Sequence, residues 1–143
     1  MCKVSHIFLI IWIMLTKFAD MKLNVEDLRD YCLSLGEDVE EKMPFGKFNG
    51  ASEVLVFYVC GHMFCYYDLT RFTVVSVKCQ PERIDELRAQ ESGVTAPYNM
   101  SPIHWIGLDV EQVNPNLARE LIKNSYCIVK AKYTKKKRSQ PKP

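Results

Sequence analysis

The segment from Glu53 to Asp68 constrains the fold more than any other part of this sequence. It contains two runs rich in β-branched and aromatic residues, EVLVFYVC and MFCYYD, separated by Gly61-His62. Two such runs joined by a two-residue loop predict an antiparallel β-hairpin. With the loop at residues 61–62, Phe57 is predicted to lie opposite Tyr66.

The two faces of this predicted hairpin differ in polarity, because successive side chains of a strand point to opposite sides of the sheet. We assign the more apolar face to the core: Leu55, Phe57, Val59, Phe64 and Tyr66. The other face is predicted to be partly solvated and carries two tyrosines and two thiols: Tyr58, Tyr67, Cys60 and Cys65, beside Val56 and Met63. Exposed tyrosines are typical of binding interfaces.

The remaining periodic segments predict helices and further strands. Asn24 is a suitable N-cap for a helix that Gly36 ends, and Asn114 caps a later helix that contains Leu117, Leu121 and Ile122. We predict strands at Arg71–Cys79 and His104–Val110, and loops at residues 37–50 and 92–102. A helix is predicted at Glu82–Gln90. Ser125 is predicted to cap a further short helix at Tyr126–Tyr133, and a strand is the alternative for this last segment. This order predicts an α+β fold: an antiparallel sheet of about four to five strands with helices packed on one face.

The net charge of +2 is the sum of two unlike parts. Residues 1–129 sum to −5 and the last fourteen residues to +7. Clustered cations bind phosphate groups without sequence choice, which predicts nucleic-acid contacts at the C-terminus. The candidate residues are Lys130, Lys132, Lys135, Lys136, Lys137 and Arg138, with His104 as a secondary contact. A solvated tail that aids solubility is the alternative interpretation.

The N-terminal twenty residues contain an uninterrupted apolar run, Ile7–Leu15. This run is too short to span a membrane but has the length of a signal-peptide core. Lys17 occupies a position where signal cleavage favours a small residue. We therefore predict that residues 1–20 are an upstream extension, with a secretion signal or an uncleaved anchor as alternatives. Residues 21–134 are predicted to form one domain, followed by a basic C-terminal tail at residues 135–143.

Six cysteines are present, but no two have the C-x-x-C spacing of a zinc or redox site. They lie in apolar segments, where a free thiol behaves as a small hydrophobic group, and this predicts a reducing, cytoplasmic compartment. The chain also lacks a P-loop, a glycine-rich dinucleotide loop and a nucleophile elbow. We predict no catalytic residue, no metal and no cofactor.

Trp105 follows His104 in a predicted strand. A strand tryptophan is typically a core anchor that needs a partner for its N–H group. Together with Tyr58 and Tyr67, it also belongs to the candidate residues for a ligand or partner face. Phe45, between Pro44 and Gly46, is interpreted as a plug at one end of the core.

An ordered series of short motifs resembles the MmcQ/YjbR family from about Leu23 to Arg138. The motifs are Met43-Pro44-Phe45-Gly46, Val56–Gly61, Val77–Glu82, Pro97-Tyr98-Asn99-Met100, His104-Trp105 and Leu121–Tyr126. The resemblance implies a CyaY-like α+β fold and a bacterial, cytoplasmic, DNA-binding protein of the "double wing" type. This chain departs from the family pattern at His62, at Asn99 and at Ser101-Pro102-Ile103, where basic or proton-carrying residues are usual.

Two hypotheses follow from these observations. The first is a small, non-enzymatic DNA-binding protein held to the phosphate backbone mainly by its basic C-terminal residues, with weak and salt-sensitive affinity. The second is a protein-interaction or small-ligand module that uses the aromatic sheet face. A basic surface continuous with the tail would favour the first hypothesis, and an acidic body with an aromatic groove would favour the second.

Overall fold

The computed structural model describes residues 23–46 and 53–139, so the predicted extension at residues 1–20 lies outside the described residues. In chain order the elements are α1 (Val25–Ser34), β1 (Glu40–Lys42), β2 (Val54–Val59), β3 (His62–Asp68), β4 (Val74–Lys78), α2 (Pro81–Gln90), β5 (Val94–Thr95), β6 (Trp105–Asp109) and α3 (Pro115–Ser139). The predicted α+β class is confirmed. Over these two ranges, no helix is both long enough and apolar enough to cross a membrane.

The described strands form one antiparallel sheet in the order β1-β2-β3-β4-β6-β5. Its six strands exceed the expected four to five, because both edge strands lie in segments predicted to be loops. With three residues in β1 and two in β5, these strands are too short to show the alternation that identifies a strand in a sequence. Each pairs with a longer neighbour, β1 with β2 and β5 with β6.

All three helices contribute to a core on one face of the sheet. The buried side chains of this core include Leu28, Cys32, Phe57, Phe64, Tyr67, Val75, Ile84, Ile106, Leu108, Leu121 and Ile122. The predicted N-caps are confirmed: Asn24 Oδ1 accepts a hydrogen bond from the Asp27 N–H, and Asn114 Oδ1 accepts one from the Asn116 N–H, both 2.8 Å long. One helical layer on one sheet face agrees with the predicted architecture.

The loop of the β2–β3 hairpin lies one residue earlier than predicted. It consists of Cys60 and Gly61, whose φ angles are 53° and 76°. Positive φ at both positions is what a type I′ turn requires, and this turn matches the twist of the two strands. Val59 consequently pairs with His62, which belongs to β3 and not to the loop.

The pairing also shifts by one residue farther along the hairpin. Phe64 has no partner across the ladder, and Phe57 pairs with Cys65 instead of the predicted Tyr66. The extra residue in β3 acts as a β-bulge. Because a one-residue shift moves every following side chain to the opposite face, Tyr66 and Tyr67 exchange sides.

The prediction that Tyr67 and Cys65 lie on the solvated face is therefore wrong. Tyr67 is only 1% exposed, and its hydroxyl donates to the Val25 carbonyl oxygen at 3.1 Å. Burial raises the pKa of this hydroxyl well above its usual range, with smaller contributions from the Cys65 and Cys32 thiols. Tyr66, which was predicted to be in the core, lies on the other side of the sheet.

Helix α3 runs without interruption through the point where a second helix was predicted to begin. Ser125 does not cap a new helix, and the strand alternative for Tyr126–Tyr133 is also wrong. The Ser125 hydroxyl is fully buried, donates to the Phe64 carbonyl oxygen at 2.5 Å and accepts from the Lys78 N–H at 2.9 Å. The serine thus joins the helix to two neighbouring strands. The predicted boundary between residues 134 and 135 falls inside this helix.

Candidate binding surface

The sheet face opposite the helices carries a second, smaller apolar cluster, and we call it the helix-free face. It is defined by alternating residues of four strands: Val54, Val56, Tyr58, Met63, Tyr66, Ser76, Lys78 and Trp105. Phe45 and Met100, from the two loops that flank this face, pack against it. Because Val54, Val56, Tyr66 and Trp105 are each less than 10% exposed, this face is covered in part by those loops.

Aromatic rings and lysine amines lie together on the helix-free face. The Tyr66 and Trp105 ring centroids are 5.6 Å apart. Lys78 Nζ lies 5.8 Å from the centre of the Trp105 ring, and Lys42 Nζ lies 5.3 Å from that of Tyr58. Such contacts attract a cation to the electron-rich face of the ring. The surface therefore combines apolar area with positive charge, although Lys42 is also paired with Glu40 at 3.3 Å.

Two adjoining cavities open on this face, and we call them together the aromatic groove. One has a volume of about 280 Å³ and is lined by Tyr58, Gly61, His62, Met63, Lys78, Met100 and Trp105. The other has a volume of about 190 Å³ and is lined by Phe45, Val54, Met63, Tyr66, Tyr98, Asn99 and Met100. They share Met63 and Met100. The Tyr66 hydroxyl donates to the Tyr98 carbonyl oxygen and holds the loop at residues 97–103 against the groove.

The loops beside the groove expose three large apolar side chains. These are Met43, Tyr98 and Ile103, with exposed fractions of 43%, 57% and 64%. Met43 comes directly after β1 and two residues before Phe45. Tyr98 and Ile103 lie in the loop between β5 and β6. Apolar side chains concentrated around one groove are typical of a binding surface.

The predicted basic residues lie along the second half of α3, and their surroundings differ. Lys130 is engaged within the domain, since its Nζ lies 3.2 Å from Asp38 Oδ2 and 3.0 Å from the Tyr126 hydroxyl. Lys132 Nζ lies over the Tyr133 ring at 5.5 Å. Lys135, Lys136, Lys137 and Arg138 occupy the last turns of α3. His104 is exposed immediately before β6.

A ring stack joins the end of α3 to the rim of the aromatic groove. The imidazole of His62 and the ring of Tyr133 have centroids 3.4 Å apart and planes 7° from parallel. Next to them, Cys60 Sγ lies 3.9 Å from Thr134 Oγ1. The hairpin turn therefore contacts α3 directly before the basic tail. From the sequence, His62 was predicted to be a loop residue and was a departure from the family pattern. Its contact with Tyr133 was not predicted, because no local signal pairs residues 71 positions apart.

The Asp38–Tyr126–Lys130 cluster connects the loop after α1 to α3, and it makes stability depend on pH. Burial raises the pKa of Asp38, but hydrogen bonds from Tyr126 and Lys130 outweigh it, and the net pKa lies below the usual range. A carboxyl group whose pKa is lower in the folded than in the unfolded protein stabilises the folded state at pH values above the unfolded pKa of about 3.9. This stabilisation disappears as the pH falls through the pKa of the folded protein.

We therefore expect Asp38→Asn to reduce the acid-induced loss of stability, measured as the urea unfolding free energy at about pH 6 and about pH 3. The effect should be below about 1 kcal/mol, because this ion pair is largely exposed to solvent. Asp85→Asn, at an exposed aspartate of α2, is the control and should keep the wild-type pH dependence. An Asp38→Asn variant with that same dependence would contradict the assignment.

Within residues 23–46 and 53–139, no three His, Cys, Asp or Glu side chains come together as a metal site. The described cysteines are free thiols: Cys32, Cys65 and Cys79 are buried, and Cys60 and Cys127 are exposed. Burial raises the pKa of Cys65 and of Cys79, which disfavours the reactive thiolate. The aromatic groove is a separate feature of these residues, and its rim contacts α3 through His62 and Tyr133.

The fold and this surface define a small α+β domain with an open antiparallel sheet, helices on one face and an aromatic groove on the other. The chain belongs to the YjbR family, whose model matches residues 33–128. The resemblance predicted from the ordered motifs is thus confirmed. No curated protein gives a significant match.

Solved structures similar to this chain include the following two. One is the crystal structure of a Deinococcus radiodurans protein with a DUF419 domain, which is 32% identical to this chain with a TM-score of 0.67. The aligned region covers 78% of this chain and 81% of the Deinococcus protein. The second is a Pseudomonas syringae protein with 20% identity and a TM-score of 0.62, covering 75% of this chain and 99% of the other. The second likeness concerns the fold alone.

Proposed function

We propose that this chain is a small, non-enzymatic nucleic-acid-binding protein that holds the phosphate backbone with the basic tail (residues 135–143). The observation that carries this proposal is the stack of His62 on Tyr133, with ring centroids 3.4 Å apart. It anchors α3 against the hairpin turn at Tyr133, two residues before the basic tail begins. A basic helix end fixed at one edge of a binding groove is a suitable surface for a polyanion.

The charge distribution makes the tail essential to this proposal. Because residues 1–129 sum to −5, the rest of the chain repels a polyanion on average. Lys130 contributes little to phosphate binding in our proposal, since Asp38 already compensates its charge at 3.2 Å. Lys135, Lys136, Lys137 and Arg138 are the proposed contacts, with Lys132 and the exposed His104 in secondary roles.

The proposal predicts a steep dependence of binding on salt. For four to six phosphate contacts, the logarithm of the association constant for duplex DNA should fall with the logarithm of salt concentration with a slope of roughly −4 to −5. Replacing Lys135, Lys136, Lys137 and Arg138 by Gln should reduce the magnitude of that slope by roughly 3–4. Fluorescence anisotropy of a labelled duplex at several salt concentrations measures both values.

The matched control is Lys123→Gln, which removes an exposed cation earlier in the same helix. It should leave the slope within about one of the wild-type value. Binding that is absent at low salt, or that is unaffected by the four substitutions, would rule out the proposed role of the tail.

A second candidate function is favoured by the aromatic groove itself: a protein-interaction or small-ligand module in which the tail only aids solubility. Its support is the concentration of exposed apolar side chains, such as Tyr98 and Ile103, in the loops beside the groove. This candidate predicts that ligand binding is independent of the basic tail.

We further propose a cytoplasmic location, because buried thiols such as Cys32 and Cys65 suit a reducing compartment.

A further inference from the structure

We propose that the aromatic groove accepts an unpaired nucleobase, so that the nucleic acid preferred by this protein is single-stranded. This inference rests on the proposed function and specifies its substrate class. The basic tail would supply affinity for any polyanion, whereas the groove would recognise the base. The two contributions come from different residues and can be measured separately.

The chemistry of the groove suits a flat aromatic ring with an attached phosphate. Its apolar lining includes Tyr58, Met63 and Met100, and Lys78 holds a positive charge over the Trp105 ring at the same cavity. Proteins that bind single strands combine these same two elements, aromatic side chains for the bases and cations for the backbone. In the groove, the base would contact the apolar lining, and its phosphate would lie near the Lys78 amine.

The size and position of the groove favour a single strand over a duplex. A volume of about 280 Å³ lies just below the usual range of ligand pockets and suits one small planar group. In a duplex the faces of the bases are stacked on one another, and only their edges are accessible in the grooves. An apolar cavity lined by Tyr58 and Trp105 can therefore contact a base face only when the base is unpaired.

Charge complementarity connects the groove to the basic tail. His62 lines the groove and stacks on Tyr133, whose own ring lies under the amine of Lys132 at 5.5 Å. Lys78, His62 and Lys132 are thus positive or protonatable groups that lie between the groove and the end of α3. A strand with one base in the groove would have its following phosphates beside these groups. An uncharged apolar peptide would gain nothing from them.

The experiment compares an oligothymidylate of about ten nucleotides, a typical site size, with an abasic strand of equal length and charge and with a duplex. The full chain carries Trp12→Phe, so that Trp105 is the sole tryptophan and its fluorescence reports on the groove. We expect the oligothymidylate to bind at least about 5-fold more tightly than the abasic strand, as for one stacked base, and to quench Trp105.

Two substitutions in the groove should remove this preference. Tyr58→Leu keeps apolar volume but removes the stacking ring. Lys78→Gln removes the charge and keeps the backbone N–H that donates a hydrogen bond to the Ser125 hydroxyl. The control is Phe72→Leu, at a half-buried aromatic that packs on the helix side of the sheet. Circular dichroism verifies folding, and Lys78→Gln keeps the test decisive if Tyr58→Leu does not fold.

The outcomes separate this inference from the proposed function. A preference for the oligothymidylate that is lost in Lys78→Gln and kept in Phe72→Leu supports the groove as the base site. Equal binding of the intact and abasic strands overturns the inference and leaves tail-mediated binding standing. Absence of binding to all three probes at low salt overturns both. A Trp105 signal that responds to an acidic aromatic peptide and not to the oligothymidylate would assign the groove to a protein partner instead.

Discussion

Tyr67→Ala should lower the free energy of unfolding by about 3–5 kcal/mol, the usual cost of removing a buried aromatic side chain. Tyr67 packs between two phenylalanines, with ring centroids 5.9 Å from Phe57 and 5.4 Å from Phe72. The substitution also leaves the Val25 carbonyl oxygen without its hydroxyl donor. Since small domains are stable by only about 5–15 kcal/mol, urea denaturation should show a large shift of the midpoint.

The control for this prediction is Tyr98→Ala, which removes the same side chain from a loop where it is 57% exposed. Its expected cost is within about 0.5 kcal/mol. A Tyr67→Ala variant as stable as Tyr98→Ala would contradict the hairpin register. With the register predicted from the sequence, Tyr67 would lie on the solvated face, so the pair of variants tests the pairing directly.

The hairpin shows why a strand can be predicted when its register cannot. The alternation of residues in β2 and β3 identifies both strands, but the faces depend on which two residues form the loop. Gly61 can occupy either loop position, and a type I′ turn with Cys60 at positive φ is chosen by the twist of the folded pair. The bulged residue Phe64 contacts Tyr126 and Ser125 of α3, and the bulge has no signature in the local sequence.

The candidate site was also predicted only in part. The basic residues of the tail are visible as a charge run, and Tyr58 was correctly expected to lie on the less buried side of β2. Three contacts that shape the groove connect distant parts of the chain: Tyr66 with Tyr98, Lys78 with Trp105 and His62 with Tyr133. Such contacts follow from strand order and loop path, which single-sequence periodicity does not specify.

Ser125→Ala tests the junction that joins α3 to β3 and β4. The Ser125 hydroxyl satisfies two buried backbone groups, the Phe64 carbonyl oxygen and the Lys78 N–H. Each group left without a partner costs roughly 1–3 kcal/mol, so we expect a loss of about 2–6 kcal/mol in the free energy of unfolding. The change removes one oxygen atom and little volume, and the loss therefore reports mainly on hydrogen bonding.

Ser34→Ala is the matched control, because its hydroxyl also donates to a backbone carbonyl oxygen, that of Tyr31 at 2.6 Å, but at an exposed position. Water can replace that bond, and the expected cost is within about 0.5 kcal/mol. If Ser125 were the N-cap of a separate short helix, as the sequence suggested, its replacement would cost only about 1 kcal/mol and would loosen the helix after it. The bridge to Phe64 and Lys78 instead predicts a larger loss that affects β3, β4 and α3 together. Amide hydrogen exchange at the Lys78 N–H distinguishes the N-cap role from the bridging role of Ser125. Only the bridging role predicts that the Ser125 hydroxyl protects this N–H from exchange.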